Sequence, residues 1–155
     1  MITIEPVDVD AQMDSEIARL HLLSRPGLSE LRPVVDAIRH GFAENFEREG
    51  SARGPWAPLA RSTQIERRRL GYPPAHPILV RTGDYRNDFT NSNAPNAVTD
   101  WDGNTLFVGS RNFKTGWLNE GTSRMPGRSV LDLDSGQEGR IGDALDAWTE
   151  ITLNG

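Results

Sequence analysis

The sequence predicts an α+β protein in which a helical N-terminal half packs on a mostly antiparallel β-sheet and a C-terminal helix follows. Three observations support this class. Apolar residues recur at helical spacing between positions 13 and 46, short alternating runs replace them between 78 and 108, and helical spacing returns after position 135. Since 155 residues suit one domain with a modest core, we expect residues 1–155 to form a single domain.

The N-terminal part begins with an acidic stretch and a short helix. Residues 1–12 carry several acids and are interrupted by Pro6, which predicts an extended arm or a short edge strand. Apolar residues at helical spacing from Met13 to Leu23 predict a helix. The sequence Arg25-Pro26-Gly27 is expected to end it.

The strongest helical signal lies between positions 29 and 50. Ser29 is a suitable N-cap, Pro33 fits the first turn, and Gly50 is expected to end the helix. One apolar stripe runs along this helix and consists of Leu31, Val34, Val35, Ile38, Phe42 and Phe46. We expect the stripe to pack on the sheet that contains Val80 and Phe107.

Two loops rich in proline and glycine separate the helical half from the predicted sheet. Residues 50–60 form the first loop, and Trp56 within it is expected to pin the loop to the body of the protein. Residues 71–77 form the second loop, whose prolines predict an extended chain. Between them, a short helix is expected to begin at Ser62 and to stop at Gly71.

The predicted sheet consists of short apolar runs separated by turn signals. Strands are expected on either side of Thr82-Gly83, over residues 78–80 and 84–89. Asp102-Gly103-Asn104 lies between two further runs and predicts a β-hairpin. A capping box at Ser135–Glu138 then opens the last helix. The apolar face of that helix comprises Ile141, Ala144, Leu145, Trp148 and Ile151.

Composition excludes several classes of function. The net charge of −5 makes free nucleic acid a poor partner, because proteins that coat nucleic acid are usually basic. Without cysteine, neither a disulfide nor a thiolate metal site can form, which fits a reducing cytoplasm. We also expect no membrane span and no signal peptide, and hence a soluble protein, because no apolar run has the required length or flanking charge.

The sequence contains no recognisable catalytic or metal-binding motif. Its histidines, at positions 21, 40 and 76, are far apart and match no metal-ligand spacing. The segment that begins Asp132-Leu133-Asp134 resembles a calcium loop, but Gln137 stands where that loop requires glycine. We therefore expect neither a metal site nor a catalytic triad.

The one basic cluster consists of Arg67-Arg68-Arg69 with Arg61 nearby. Three consecutive arginines point in different directions around a helix, so they do not form one flat surface. Three interpretations remain open: a solvated helix, a set of ion-pair partners for an acidic neighbouring subunit, and a contact with packaged DNA. The two ends of the chain are acidic, which is consistent with ion pairs between these arginines and a neighbouring subunit.

Four tryptophans occur in a chain with few aromatic residues, and most of them are expected in the core. Tryptophan is also enriched in subunit interfaces. Trp56 and Trp117 are the expected interface residues, because both have a glycine within two positions and lie outside the clear helical patterns.

A series of short motifs has a characteristic order along the chain. The motifs are Phe42–Gly50, Gly54–Leu59 followed by Thr63, Leu79–Gly83 followed by Tyr85-Arg86, Val108-Gly109, Trp117–Thr122, and Pro126-Gly127-Arg128. In this order, from about Ser15 to Leu145, the chain resembles the virion-morphogenesis (tail-completion) proteins of tailed bacteriophages. One motif departs from the family: Trp117–Thr122 lacks the histidine of the family's tyrosine–alanine–histidine element. It is closer to the Glu-x-Gly-Thr sequence of related tail components, shortened by one residue.

The resemblance implies a structural subunit without enzyme activity or cofactor. Such subunits form a homo-oligomeric ring, here expected to be a hexamer, at the neck between head and tail or as a terminator at the tail end. The implied partners are neighbouring connector and tail proteins, with packaged DNA close by. The implied location is the virion, after assembly in the host cytoplasm.

The resemblance also directs attention to particular residues. The expected subunit interface comprises Trp56, Arg61, Arg67, Arg68, Arg69, Trp117, Glu120 and Arg128. Arg128 follows a Pro-Gly turn and is expected to bind a carboxylate in a structural role. Residues 1–12 and 50–60 bury little apolar surface, so we expect them to be mobile in the free subunit and to become ordered against neighbours. The alternative function is a small nucleic-acid-binding module or accessory enzyme encoded in a phage or prophage operon.

Overall fold

The computed structural model describes residues 27–73, 76–102 and 105–154, and it confirms the α+β class. The described elements are the helices α1 (Arg32–Glu47), α2 (Arg61–Arg69), α3 (Asp84–Thr90), α4 (Thr115–Glu120) and α5 (Ser135–Asn154), and the strands β1 (Gly50–Ser51), β2 (Gly54–Pro55), β3 (Ala97–Trp101) and β4 (Leu106–Ser110). The strands form two antiparallel ribbons, β1–β2 and β3–β4, in place of one larger sheet. The predicted arm over residues 1–12 and the predicted helix from Met13 to Leu23 lie outside the described residues.

Helix α1 is the centre of the core, and its predicted apolar stripe is confirmed. Five of the six stripe residues are buried, and Ile38 packs against the same cluster. Phe42 and Phe46 contact Phe89 of α3, with ring centroids 5.5 and 6.1 Å apart. Trp56 and Val130 complete the buried cluster from two loops. The core therefore joins α1 to segments that are far apart in the sequence.

The two ends of α1 differ from the prediction. The N-cap residue is Leu31, which makes no side-chain hydrogen bond, so Ser29 does not cap the helix. At the other end Glu49, with φ of 49°, takes the left-handed conformation that was expected of Gly50. Two hydrogen bonds hold Glu49 there: Ile78 N donates to its Oε1 at 2.6 Å and Trp56 N donates to its backbone oxygen at 2.7 Å. These long-range bonds offset the strain of a positive φ.

The predicted hairpin over residues 97–108 is confirmed. Strand β3 pairs with β4 from Ala97 opposite Ser110 to Trp101 opposite Leu106, while residues 103–104 of the turn are outside the described part. Val108 packs against the core, whereas Phe107 is 49% exposed. The stripe was predicted to pack on one sheet that contains both Val80 and Phe107. It does contact β4, but Phe107 points to the face opposite Val108, and Val80 lies outside the strands.

The strands predicted on either side of Thr82-Gly83 are wrong. Residues 78–79 form a turn, and residues 84–90 form helix α3. Gly83, with φ of 90°, is the N-cap residue of α3, and Asp84 places a negative charge in its first turn. Tyr85 and Phe89 are four residues apart and both contact Phe46, so one helical face covers the core. Val80 nevertheless packs against the core from the preceding loop.

Helix α5 is present as predicted, but its capping box begins one residue earlier. Gln137 N donates to Asp134 Oδ1 and Asp134 N donates to Gln137 Oε1, both at 2.9 Å. The side chain of Gln137 also docks the helix on α1 by donating to the backbone oxygen of Gly41 at 3.0 Å. The predicted apolar face is only partly covered, because Leu145 and Ile151 are exposed. No helix in the described part of the chain is long and apolar enough to cross a bilayer.

Candidate interaction surfaces

The structure divides the eight predicted interface residues into two groups. The buried group consists of Trp56, Arg67 and Arg128. The exposed group consists of Arg61, Arg68 and Arg69 on α2 and of Trp117 and Glu120 on α4. The buried residues hold loops of their own chain, and only the exposed residues are free to contact a partner.

Trp56 pins the 50–60 loop to the core, as predicted. Its ring meets Phe46 edge to face at 5.7 Å, and its Nε1 donates to the backbone oxygen of Ser129 at 2.9 Å. The side chain therefore belongs to the core of its own chain, which corrects its assignment to a subunit interface. The β1–β2 pairing and the Trp56 side chain hold the loop against its own chain. That residues 50–60 are mobile in the free subunit and become ordered against a neighbour stays a prediction.

Arg128 has the predicted structural role, but its partners are backbone oxygens and not a carboxylate. Its Nε donates to Ala57 O at 2.7 Å and its Nη2 donates to Pro58 O at 2.9 Å. Burial lowers the pKa of Arg128, and the charge of nearby Arg67 lowers this pKa further. The guanidinium fork thus clamps two successive carbonyls of a loop that contains two prolines.

Arg67 is the only buried residue of α2, and it fixes this helix to the neighbouring loop. Its Nη1 donates to Pro77 O at 2.8 Å and to His76 O at 3.4 Å. The helix stops at Gly71, as predicted, with φ of 85°. Arg67 is thereby removed from the basic cluster, and Arg68 and Arg69 remain on the surface.

Arg39 is a buried arginine of α1 that is not part of the predicted apolar stripe. It is 4% exposed and binds the C-terminal carbonyls of α3 and the strand β3. Burial lowers the pKa of Arg39, and the nearby Asp36 carboxylate partly offsets this effect. The burial of Arg39 could have been predicted from its position in the sequence. Arg39 lies four residues after Val35 and three before Phe42, which places it on the buried side of the helix.

The outer surface of α2 is basic. Helix α2 contains four arginines and one glutamate, and Arg61, Arg68 and Arg69 are exposed. None of these three arginines takes part in an ion pair with any residue that the structure describes. Ile65, 44% exposed, lies between Arg61 and Arg68 on the same side of the helix, and these residues with Gln64 border a shallow recess.

An exposed aromatic pair marks a second surface, at helix α4. Phe113 is 71% exposed and Trp117 is 56% exposed, and their rings meet edge to face at 5.6 Å. Lys114 places its Nζ 5.6 Å from the centre of the Phe113 ring, and Glu120 is exposed at the end of the same helix. Large aromatic side chains are enriched in protein interfaces. Phe113 was not among the predicted interface residues, although it lies four residues before Trp117.

The outer surface of α5 is acidic. This helix carries four carboxylates and one base, Arg140, which pairs with Glu44 of α1. Asp143, Asp146 and Glu150 are exposed and take part in no ion pair within the described residues. Among the described residues, α2 therefore presents a basic surface and α5 an acidic surface, neither of them neutralised by ion pairs.

A polar cleft separates the β1–β2 ribbon from the loops around Glu120 and Gly127. Its volume is about 270 Å³, and Trp56 and Ser129 lie at its base. The described residues hold no group of three or more histidine, aspartate or glutamate side chains placed to bind a metal ion.

Comparison with protein-family models, with curated proteins and with solved structures finds no match. Inferences about function therefore depend on the residues of the chain itself.

Proposed function

We propose that this protein is a structural subunit of a tailed-bacteriophage particle that assembles into a ring at the neck or at the tail end. The observation that carries the proposal is the exposed pair Phe113–Trp117. Two aromatic side chains that leave most of their surface in water favour burial in a contact between proteins. The order of short motifs described above supports the assignment to phage tail-completion proteins and hence to the virion.

The proposal is tested by measuring assembly. Light scattering during size-exclusion chromatography should find an oligomer, and electron microscopy should show rings. Trp117→Ala should reduce the oligomer fraction at least tenfold, because a tryptophan that is a hot spot of an interface contributes about 2 kcal/mol or more. Phe107→Ala removes an exposed aromatic residue from strand β4 and is the control, expected to assemble normally.

The outcome that contradicts the proposal is equally direct. A wild-type protein that remains monomeric at high concentration, and that is absent from purified particles, would rule out a ring subunit. Normal assembly of Trp117→Ala would leave the ring in place but exclude the aromatic pair as its contact.

The second candidate function is nucleic-acid binding, which the unpaired arginines of α2 favour. Contacts to phosphates would make the affinity fall steeply as salt increases. We rank this function second because the protein as a whole carries a net charge of −5. Titration of the protein with duplex and single-stranded DNA at two salt concentrations decides between the candidates.

A further inference from the structure

Three exposed residues of α2, two arginines and one isoleucine, have a regular spacing along the helix. Arg61, Ile65 and Arg68 follow the pattern i, i+4, i+7, which places them on one side of a helix. The two arginines are seven residues apart, or about 10.5 Å along the helix axis. Arg69 lies beside this row and adds a third positive charge. Arg67 holds the inner side of the helix, so the row of Arg61, Ile65 and Arg68 faces outward.

The exposed charges of α5 have a matching spacing of opposite sign. Asp143, Asp146 and Glu150 follow the pattern i, i+3, i+7 on one side of the helix. Asp143 and Glu150 are also seven residues apart, or about 10.5 Å. The opposite side of the helix docks on α1 through Gln137. This acidic row therefore faces away from the core.

The two rows do not meet within one subunit. No ion pair joins α2 to α5 in the described residues, and each helix is held by a different part of the fold. Because the two rows have opposite charge and equal spacing, α2 of one copy and α5 of another copy can form several ion pairs at once. A contact between two different surfaces of identical chains is heterologous, and such contacts close into rings when the rotation allows.

We infer that the basic row of α2 in one copy binds the acidic row of α5 in the next copy. This inference rests on the proposed ring function and adds a second contact, between α2 and α5, to the contact proposed for the Phe113–Trp117 pair of α4. Arg61 and Arg68 face the two outer carboxylates of the neighbouring α5, and Ile65 is covered between them. Exposed ion pairs are individually weak and are screened by salt, so the contact depends on several pairs together with the burial of Ile65.

Charge reversal with rescue tests the contact. Arg61→Glu with Arg68→Glu should reduce the oligomer fraction at least tenfold, and so should Asp143→Lys with Glu150→Lys. The variant that carries all four substitutions should recover assembly, because the charges are then exchanged. Arg32→Glu with Arg124→Glu is the matched control, since it makes the same change in net charge at two other exposed positions and should assemble normally.

Cross-linking gives a second measurement that does not require an assembly defect. The chain has no cysteine, so Ile65→Cys and Asp146→Cys each introduce a single thiol. Mixing the two variants under mild oxidation should yield a disulfide-linked dimer that neither variant forms alone to the same extent. Circular dichroism of every variant establishes that it is folded.

Several outcomes would overturn the inference. If the wild type forms rings and the double arginine variant still does so, the ring exists but uses other surfaces. If that variant assembles but no longer binds DNA, the arginines of α2 serve nucleic acid. A wild type that is only monomeric would overturn both the ring function and this contact. Failure of the fourfold variant to assemble, with no mixed disulfide, would also exclude the contact.

Discussion

The guanidinium of Arg39 lies at the C-terminal end of α3, where its Nη1 donates a 2.8 Å hydrogen bond to the backbone oxygen of Phe89. The last carbonyls of a helix have no partner within the helix, and the helix dipole favours a positive charge at this end. The Nη2 atom of the same side chain donates to Val98 O at 2.9 Å and to Thr99 Oγ1 at 2.8 Å. One buried arginine thus joins α1, α3 and β3.

Replacement of Arg39 should destabilise the protein strongly. Arg39→Leu leaves several buried carbonyls without a donor, and we expect it to lower the free energy of unfolding by about 2–4 kcal/mol. Arg39→Lys should be intermediate, because lysine cannot reproduce the fork. Urea unfolding measures the change, and Arg32→Ala on the exposed side of α1 is the control, expected within about 0.5 kcal/mol of wild type.

Truncation of Phe42 tests the packing of α1 on the core. Phe42 is buried and meets Phe89 edge to face. Phe42→Ala should cost about 3–5 kcal/mol, because both the transfer of the ring and the residual cavity contribute. Phe107→Ala removes the same group from an exposed position on β4 and should leave the melting temperature nearly unchanged. An unchanged melting temperature for Phe42→Ala would show that this packing is wrong.

Gly121 should not tolerate a side chain. Its φ is 82°, and a Cβ atom at this position would lie 2.5 Å from Gly127 N and 2.8 Å from Met125 O. We expect Gly121→Ala to cost about 2–4 kcal/mol, because both the conformation and the close backbone contact oppose it. Gly116→Ala, in helix α4 with open space around it, should be neutral or stabilising by up to about 1 kcal/mol. Thermal unfolding of the two variants compares them directly.

Asp134 should contribute to the loss of stability in acid. Hydrogen bonds from Gln137 N and from Arg48 lower the pKa of this carboxylate below its ordinary value. A carboxylate with a lowered pKa in the folded state stabilises the protein above its unfolded pKa, and this contribution disappears as the pH falls through the folded pKa. Asp134→Asn can still cap α5 but does not titrate. It should therefore reduce the difference in melting temperature between pH 6 and pH 3.

Arg128→Lys should loosen the 56–60 segment. Lysine cannot bind Ala57 O and Pro58 O through a planar fork, so we expect a loss of about 1–2 kcal/mol. Hydrogen exchange should increase at residues 56–60 that carry an amide, with α3 as the internal reference. If this variant also gives normal yields of infectious particles, the clamp is not needed for assembly.

The order of local elements could be predicted from the sequence because neighbouring residues decide it. The apolar stripe of α1 and the Asp-Gly hairpin were predicted, since periodicity and turn chemistry are local properties. Helix α3 was predicted as a strand because seven residues give a weak periodic signal, and its contact with Phe46 decides its form. Trp117 and the basic residues of α2 were identified as interface candidates from residue type and local sequence context.

The sequence by itself determined the α+β class, the position of α1 and the separate runs of opposite charge. Only the tertiary structure decided which arginines are buried: Arg39, Arg67 and Arg128 bind backbone carbonyls that lie between 9 and 71 positions away. It also decided that Trp56 belongs to the core, whereas Trp117 stays exposed. The physical reason is that every residue carries a chemically equivalent backbone carbonyl. The pattern of side chains in the sequence therefore does not reveal which carbonyls a buried arginine will bind.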